Sequence, residues 1–228
     1  MLKFINRILN SKNLLHYENT LNEARILIQN KKHKDALLKS KEAIIIIEKY
    51  LLPHFNEQQF NWAYYNEALA YVGLKEFKNA LNVLEYLIDL DDTFIDAILL
   101  KGMVKHYKQD FNDAIIDFEY CISIAPNDSR AYFNIGKISF KLKEYKKAIQ
   151  YFEKSIKLNN KLIVAYLYIV MISFQEKDKK KVSEVFKRLD DESIKLLPNL
   201  INREFGKDSE ALLKWVYKKY PLLRIQML

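Results

Sequence analysis

The chain has 228 residues, 50% of them apolar and 29% charged, with 4 Gly, 4 Pro, 1 Cys and a formal net charge of +8. That composition supplies a buried core and excludes a disordered chain. So few turn formers argue against a sheet protein, and a single cysteine excludes an internal disulfide and fits a reducing, cytoplasmic setting. The basic balance admits nucleic acid, anionic membrane or acidic proteins as partners. The plainer reading is a residue bias shared by Lys, Asn, Ile, Tyr and Phe.

In chain order, residues 1–15 carry Leu2, Ile5, Ile8 and Leu9 with Lys3, Arg7 and Lys12. This is the make-up of a short basic amphipathic helix, expected to cap the helices after it; lying on anionic lipid is the alternative. The opening lacks the uninterrupted apolar stretch of a signal peptide. Residues 16–60 read as a divergent helix pair whose second helix is lengthened, with a connector about Pro53. Three regular units come next, at 61–94, 95–128 and 129–162. Residues 163–196 form a degenerate unit in which Lys179-Lys180-Lys181 replaces an aromatic turn residue. Its uncharged run, Leu162 to Gln175, is shorter than the roughly 18–20 apolar residues that cross a bilayer, and is expected as a helix buried on most sides. Pro198 is expected to break any continuous helix. Residues 197–228 read as a capping hairpin and tail, with a helix start at Asp208-Ser209-Glu210 and an apolar end from Pro221 to Leu228.

The regular units rest on ladders with one step. Ala80, Ala114, Ala148 and Val182 are each 34 apart, as are Leu84, Phe118, Phe152 and Phe186, and Tyr64, Ile98, Tyr132 and Tyr166. Small residues recur at Ala68, Gly102 and Gly136, and aromatics at Phe77, Phe111 and Tyr145. Within a unit the apolar residues fall at helical spacing on either side of a short polar break. Each unit is therefore a pair of helices joined by a tight turn, with small residues where the helices cross. No pair can bury its apolar face alone, so the pairs stack.

This pattern resembles the tetratricopeptide-repeat family, whose repeat is about 34 residues. The stretch Ala131-Tyr132-Phe133-Asn134-Ile135-Gly136 followed by Tyr145, Ala148 and Phe152 carries the resemblance best. It implies an all-α, right-handed superhelical solenoid of antiparallel helix pairs, about five repeats with capping helices.

The resemblance also implies a protein-interaction module, an adaptor, scaffold or assembly factor, whose first helices line a concave groove for a segment of another protein. Mapped onto this chain, the groove residues are Trp62, Tyr65, Asn66 and Leu69, then Leu99, Met103 and His106, then Arg130, Phe133, Asn134, Lys137, Phe140 and Lys141, with Leu167, Tyr168 and Met171 beyond. Tyr and Trp suit binding hot spots because they bury a large area at low entropic cost. Asn66 and Asn134, two units apart, could clamp a bound backbone with donor and acceptor together. The carboxylate grip that some family members use on chaperone tails is not reproduced, since Leu21 and Arg25 stand where a Lys and an Asn would complete it.

Chemistry is not expected. His16, His33, His54 and His106 share no metal-ligand spacing, no Gly-rich phosphate loop is present, and Cys121 falls on an inward-facing ladder as a packing residue. Asp91 and Asp92 are read as caps of the following helix. No enzyme activity, cofactor or metal is therefore expected, and the partner is expected to be a protein or peptide segment. Charge is uneven: Glu85–Glu119 holds nine acids against three Lys, while Lys137–Arg188 holds 14 basic residues against five acids. The basic stretch suggests an acidic partner. RNA binding through the same half is the alternative, and its 34-residue step counts against the 35-residue helical repeats that read RNA bases.

Overall fold

The computed structural model describes residues 2–51 and 61–219, with side chains described at 11–50, 61–207 and 209–219, and every regular element in those spans is helical. The helices are α1 (Leu2–Gln29), α2 (His33–Ile46, continued by a π turn Ile47–Leu51), α3 (Asn61–Gly73), α4 (Phe77–Leu90), α5 (Ile95–Lys108), α6 (Phe111–Ile124), α7 (Ser129–Lys141), α8 (Tyr145–Leu158), α9 (Ile163–Gln175), α10 (Lys179–Phe186), α11 (Asp191–Phe205) and, after a 3-10 turn Gly206–Ser209, α12 (Glu210–Lys219). They fall into two compact units, Met1–Ala125 and Pro126–Leu228.

The turn inside each pair has one design. The residues Lys31, Lys75, Gln109, Lys143 and Lys177 all adopt positive φ, between 58° and 69°. At each, two backbone bonds close the preceding helix: in α7, the N–H of Lys143 donates to the carbonyl of Phe140 and that of Glu144 to Ser139 (3.0 and 2.9 Å). This left-handed C-terminal closure normally uses Gly. Here four lysines and a glutamine hold it, which is how a chain with so few glycines makes five tight turns.

In the first unit, α1 packs on α2, α2 on α3, α3 on α4, α4 on α5 and α5 on α6. One core gathers Tyr17, Leu21, Ala43, Ile44, Ile46, Ile47 and Ala63. A second gathers Ala68, Ala80, Leu84, Leu87, Ala97, Leu100 and Val104. Helix α1 runs unbroken from Leu2 to Gln29, so the boundary expected at residue 15 falls inside a single helix. The side chains of Leu2, Ile5, Ile8 and Leu9 lie outside the described residues, as does the connector about Pro53. At the junction of α4 and α5, Asp91 takes the Thr93 N–H and hydroxyl on Oδ1 (3.0 and 2.7 Å). It forms a turn of its own, and Phe94 stands at the N-terminal cap of α5. Contrary to expectation, the Asp91–Asp92 pair therefore does not cap that helix. Cys121 is fully buried on α6, a packing position.

In the second unit, α7 packs on α8, α8 on α9, α9 on α10 and on α11, and α11 on α12. The Ser155 hydroxyl donates to the Ser129 carbonyl (3.0 Å), fastening α8 to the start of α7. Helix α9 is buried from Ala165 to Ser173, as its uncharged sequence predicts. Pro198 does not break the helix: it lies inside α11 and is itself buried. A proline there forfeits one backbone bond, and the burial of its neighbours Leu197 and Ile201 in the core offsets the loss. The tail Pro221–Leu228 lies outside the described residues.

Candidate functional site

The exposed first-helix face of the first unit is built on aromatic rings. Trp62 is 39% exposed. It meets Tyr65 edge-on (centroids 5.5 Å, 90°) and Phe94 edge-on (5.2 Å, 83°), and Tyr65 meets Phe94 at 5.7 Å. These are favourable quadrupole arrangements. From α1, the Arg25 guanidinium lies 5.4 Å over the Trp62 ring, a cation–π contact that leaves the charge facing the same patch. Helical phase alone does not point to Phe94 as part of this face, whereas Arg25 stands at a clamp position of the divergent first pair. Phe94 is off the aromatic ladders, and Arg25 is brought in by packing of α1 on α3.

The other expected residues of this unit sit deeper. Asn66 is 2% exposed, and its Nδ2 has no hydrogen-bond partner. Leu99 is buried, while Leu69 packs on the core from its edge. Met103 and His106 are half-buried; His106 stacks on Tyr107 (6.2 Å, 5°) and leans on Phe111 (5.8 Å).

In the second unit the expected residues are engaged by the chain itself. Arg130 grips Asp128, with Nε 3.1 and 3.0 Å from its two oxygens and Nη2 2.6 Å from Oδ2. Burial pushes the Asp128 carboxyl up, and the Arg130 bonds outweigh it, holding the group below its ordinary value. Asp128 in turn caps α7 by accepting the Arg130 N–H (2.9 Å). Asn134 is 8% exposed and donates its Nδ2 to the Arg130 carbonyl (3.0 Å), a bond within its own helix. Lys137 lies 5.7 Å over Phe133, and Lys141 is exposed.

Phe140 and Phe133 are covered from the C-terminal side. Tyr168 stacks on Phe152 (4.9 Å, 21°) and meets Phe133 and Phe140 edge-on. Phe205 of α11 closes on Tyr168 (5.1 Å) and Phe140 (6.1 Å). The Tyr168 hydroxyl donates to Glu204 (3.3 Å), and burial, reinforced by Glu204, pushes its pKa upward. Leu167, Tyr168 and Met171, expected on an open face, are therefore buried, Tyr168 beneath Phe205 and Glu204 of α11.

No three His, Cys, Asp or Glu side chains come together to hold a metal among the described residues. Among the same residues no helix is long and apolar enough to cross a membrane.

Family comparison agrees with this architecture. Residues 129–162 match one model of the tetratricopeptide repeat, and 63–94 and 95–128 match another. The chain thus carries three tetratricopeptide repeats in succession, from α3 to α8. None of the curated protein sequences matches it. Among solved structures it is similar to PilF of Pseudomonas aeruginosa, at 17% identity, covering 95% of this chain and 98% of that one, TM-score 0.66. It is similar to MamA (41-end) of Desulfovibrio magneticus RS-1, at 20% identity, 75% and 92% coverage, TM-score 0.56. It is also similar to YrrB, described as a TPR protein with an unusual peptide-binding site, at 17% identity, 78% and 85% coverage, TM-score 0.51.

Proposed function

We propose that this chain is a protein-interaction module that holds a partner's peptide segment against the Trp62–Tyr65–Phe94 face of its first unit. The observation that carries the reading is Trp62: a large ring, 39% exposed, braced edge-on by two others and flanked by the Arg25 guanidinium. Rigid aromatics of this kind are typical energetic anchors of protein interfaces. The three tetratricopeptide repeats and the peptide-binding description of YrrB support the same class of function. The corresponding face of the second unit is a poorer candidate, since Phe205 already covers Phe140 and Tyr168. The burial of Asn66 and Asn134 moves the proposed anchor from an amide clamp to the rings of Trp62 and Tyr65.

In this reading the chain holds its partner and carries out no reaction. A Trp62→Ala/Tyr65→Ala variant, shown by circular dichroism to keep its helices, is the test. Used as bait in lysate beside the wild type, it should lose the proteins that the wild type retains. Retention of the same set by both baits would remove this face from the function.

A further inference from the structure

Helix α8 presents a second surface, remote in character from the aromatic face. Lys146, Lys147, Lys154 and Lys157 are all exposed on it. Lys147 is 3.6 Å from Glu144, whereas Lys146, Lys154 and Lys157 have no carboxylate partner among the described residues. The acid within this surface, Glu153, is already neutralised: Arg188 grips both its oxygens (2.9 and 3.0 Å) and Lys181 lies 3.8 Å away.

The spacing gives the patch a direction. Lys147, Gln150, Lys154 and Lys157 recur at i, i+3, i+7 and i+10, which places them on one stripe of a helix. At 1.5 Å per residue the stripe is about 15 Å long. Two shallow depressions border it and share Gln150 and Lys154, one walled by Tyr132 and Tyr151, the other by Tyr166 and Arg188.

We propose that this face of α8 is a second docking site, for an acidic segment of a partner protein. Charge complementarity sets the occupant: exposed ammonium groups along this face, of which Lys146, Lys154 and Lys157 hold no carboxylate among the described residues, match carboxylates spaced along a peptide. Single-stranded nucleic acid fits less well. Stacked bases need free ring faces, yet the Lys154 ammonium lies 5.6 Å over Tyr132 and the Arg188 guanidinium 5.0 Å over Tyr166. The Tyr132 hydroxyl is also committed, donating to the Pro126 carbonyl (3.1 Å). A membrane surface fits less well again, because no apolar side chain of α8 is exposed to enter the lipid.

The test uses the full chain and a fluorescein-labelled Glu/Ala peptide of about a dozen residues, with Glu at the spacing of the α8 lysines. Fluorescence anisotropy at low salt should show binding that weakens steeply as salt is added. A Lys146→Glu/Lys154→Glu/Lys157→Glu variant should lose about tenfold or more in affinity, and the corresponding Gln variant, which repels nothing, should lose less. Trp62→Ala/Tyr65→Ala should bind the peptide as the wild type does, so failure here and failure of the aromatic face are read separately. Equal binding by the charge-reversed chain overturns the proposal, as does absence of binding at about millimolar peptide. Preference for an oligothymidylate or for phosphatidylserine vesicles over the peptide would also overturn it, assigning the stripe to those partners.

Discussion

A Cβ placed on Gly136 would lie 2.7 Å from Cε1 of Phe152, and one on Gly102 the same distance from Cε1 of Phe118. Each phenylalanine is fully buried and lies 16 positions after its glycine, on the second helix of the same pair. The glycine is thus the seat of the ring. Gly136→Ala gains helix propensity worth about 1 kcal/mol, but overpacking a filled core costs about 1–3 kcal/mol. The expected net change is a loss of up to about 2 kcal/mol, read as a lower urea midpoint with an unchanged slope. Trimming the ring as well, in Gly136→Ala/Phe152→Leu, should cost less than the sum of the single changes.

The left-handed turn residues offer the opposite experiment. Lys143 has φ 63°, a conformation that costs an L-residue roughly 1–2 kcal/mol. Lys143→Gly removes that strain and gives back part of the gain through a freer unfolded chain. A net stabilisation of about 0.5–1 kcal/mol is expected. Lys143→Val, branched at Cβ, should destabilise. A glycine variant no more stable than wild type would show that the lysine contributes through its side chain.

The repeat was legible because it is written several times over. Leu84, Phe118, Phe152 and Phe186 share one step and are all buried, and no single-residue accident could mimic that. The positive-φ ladder Lys75, Gln109, Lys143, Lys177 has the same step, but polarity alone marks it as a break and not as a left-handed turn. The site was legible only in part. Helical phase places Trp62 and Tyr65 on the candidate face, yet it cannot show that Asn66 and Asn134 are buried, since that depends on side chains from other helices. Phe205 belongs to no ladder, so its cover over Phe140 had no signal. At Pro198 a local rule was outweighed by burial of Pro198 itself with Leu197 and Ile201.

Phe205 tests how firmly α11 holds that cover. Its ring is half-buried against Tyr168 and Phe140. Phe205→Ala should cost about 2 kcal/mol, below the range for a fully buried ring. Amides of α11 should then exchange faster, while those of α7 and α8 keep their protection. Unchanged exchange in α11 would mean that Leu197 and Ile201 anchor the helix without help from Phe205.

Glu67 sets the sign of a pH effect in the first unit. It is 8% exposed on α3, with the Lys41 ammonium 3.9 Å away. Burial pushes its carboxyl above the ordinary value of 4.5; Lys41 and a hydrogen bond with Tyr71 pull the other way, and Glu48 adds a small upward push. A carboxyl raised on folding binds its proton more tightly in the folded chain. It therefore weakens the fold as pH rises from the ordinary carboxylate range through the raised pKa, and the penalty persists at neutral pH. Glu67→Gln removes the buried charge and keeps a hydrogen-bonding group. Its melting temperature should exceed that of the wild type at pH 7, and the advantage should shrink to nothing as pH falls below the ordinary glutamate value. Paired melts across that window decide the matter. An advantage independent of pH would tie the gain to packing, and a deficit at pH 7 would mean that attraction to Lys41 outweighs the cost of burial.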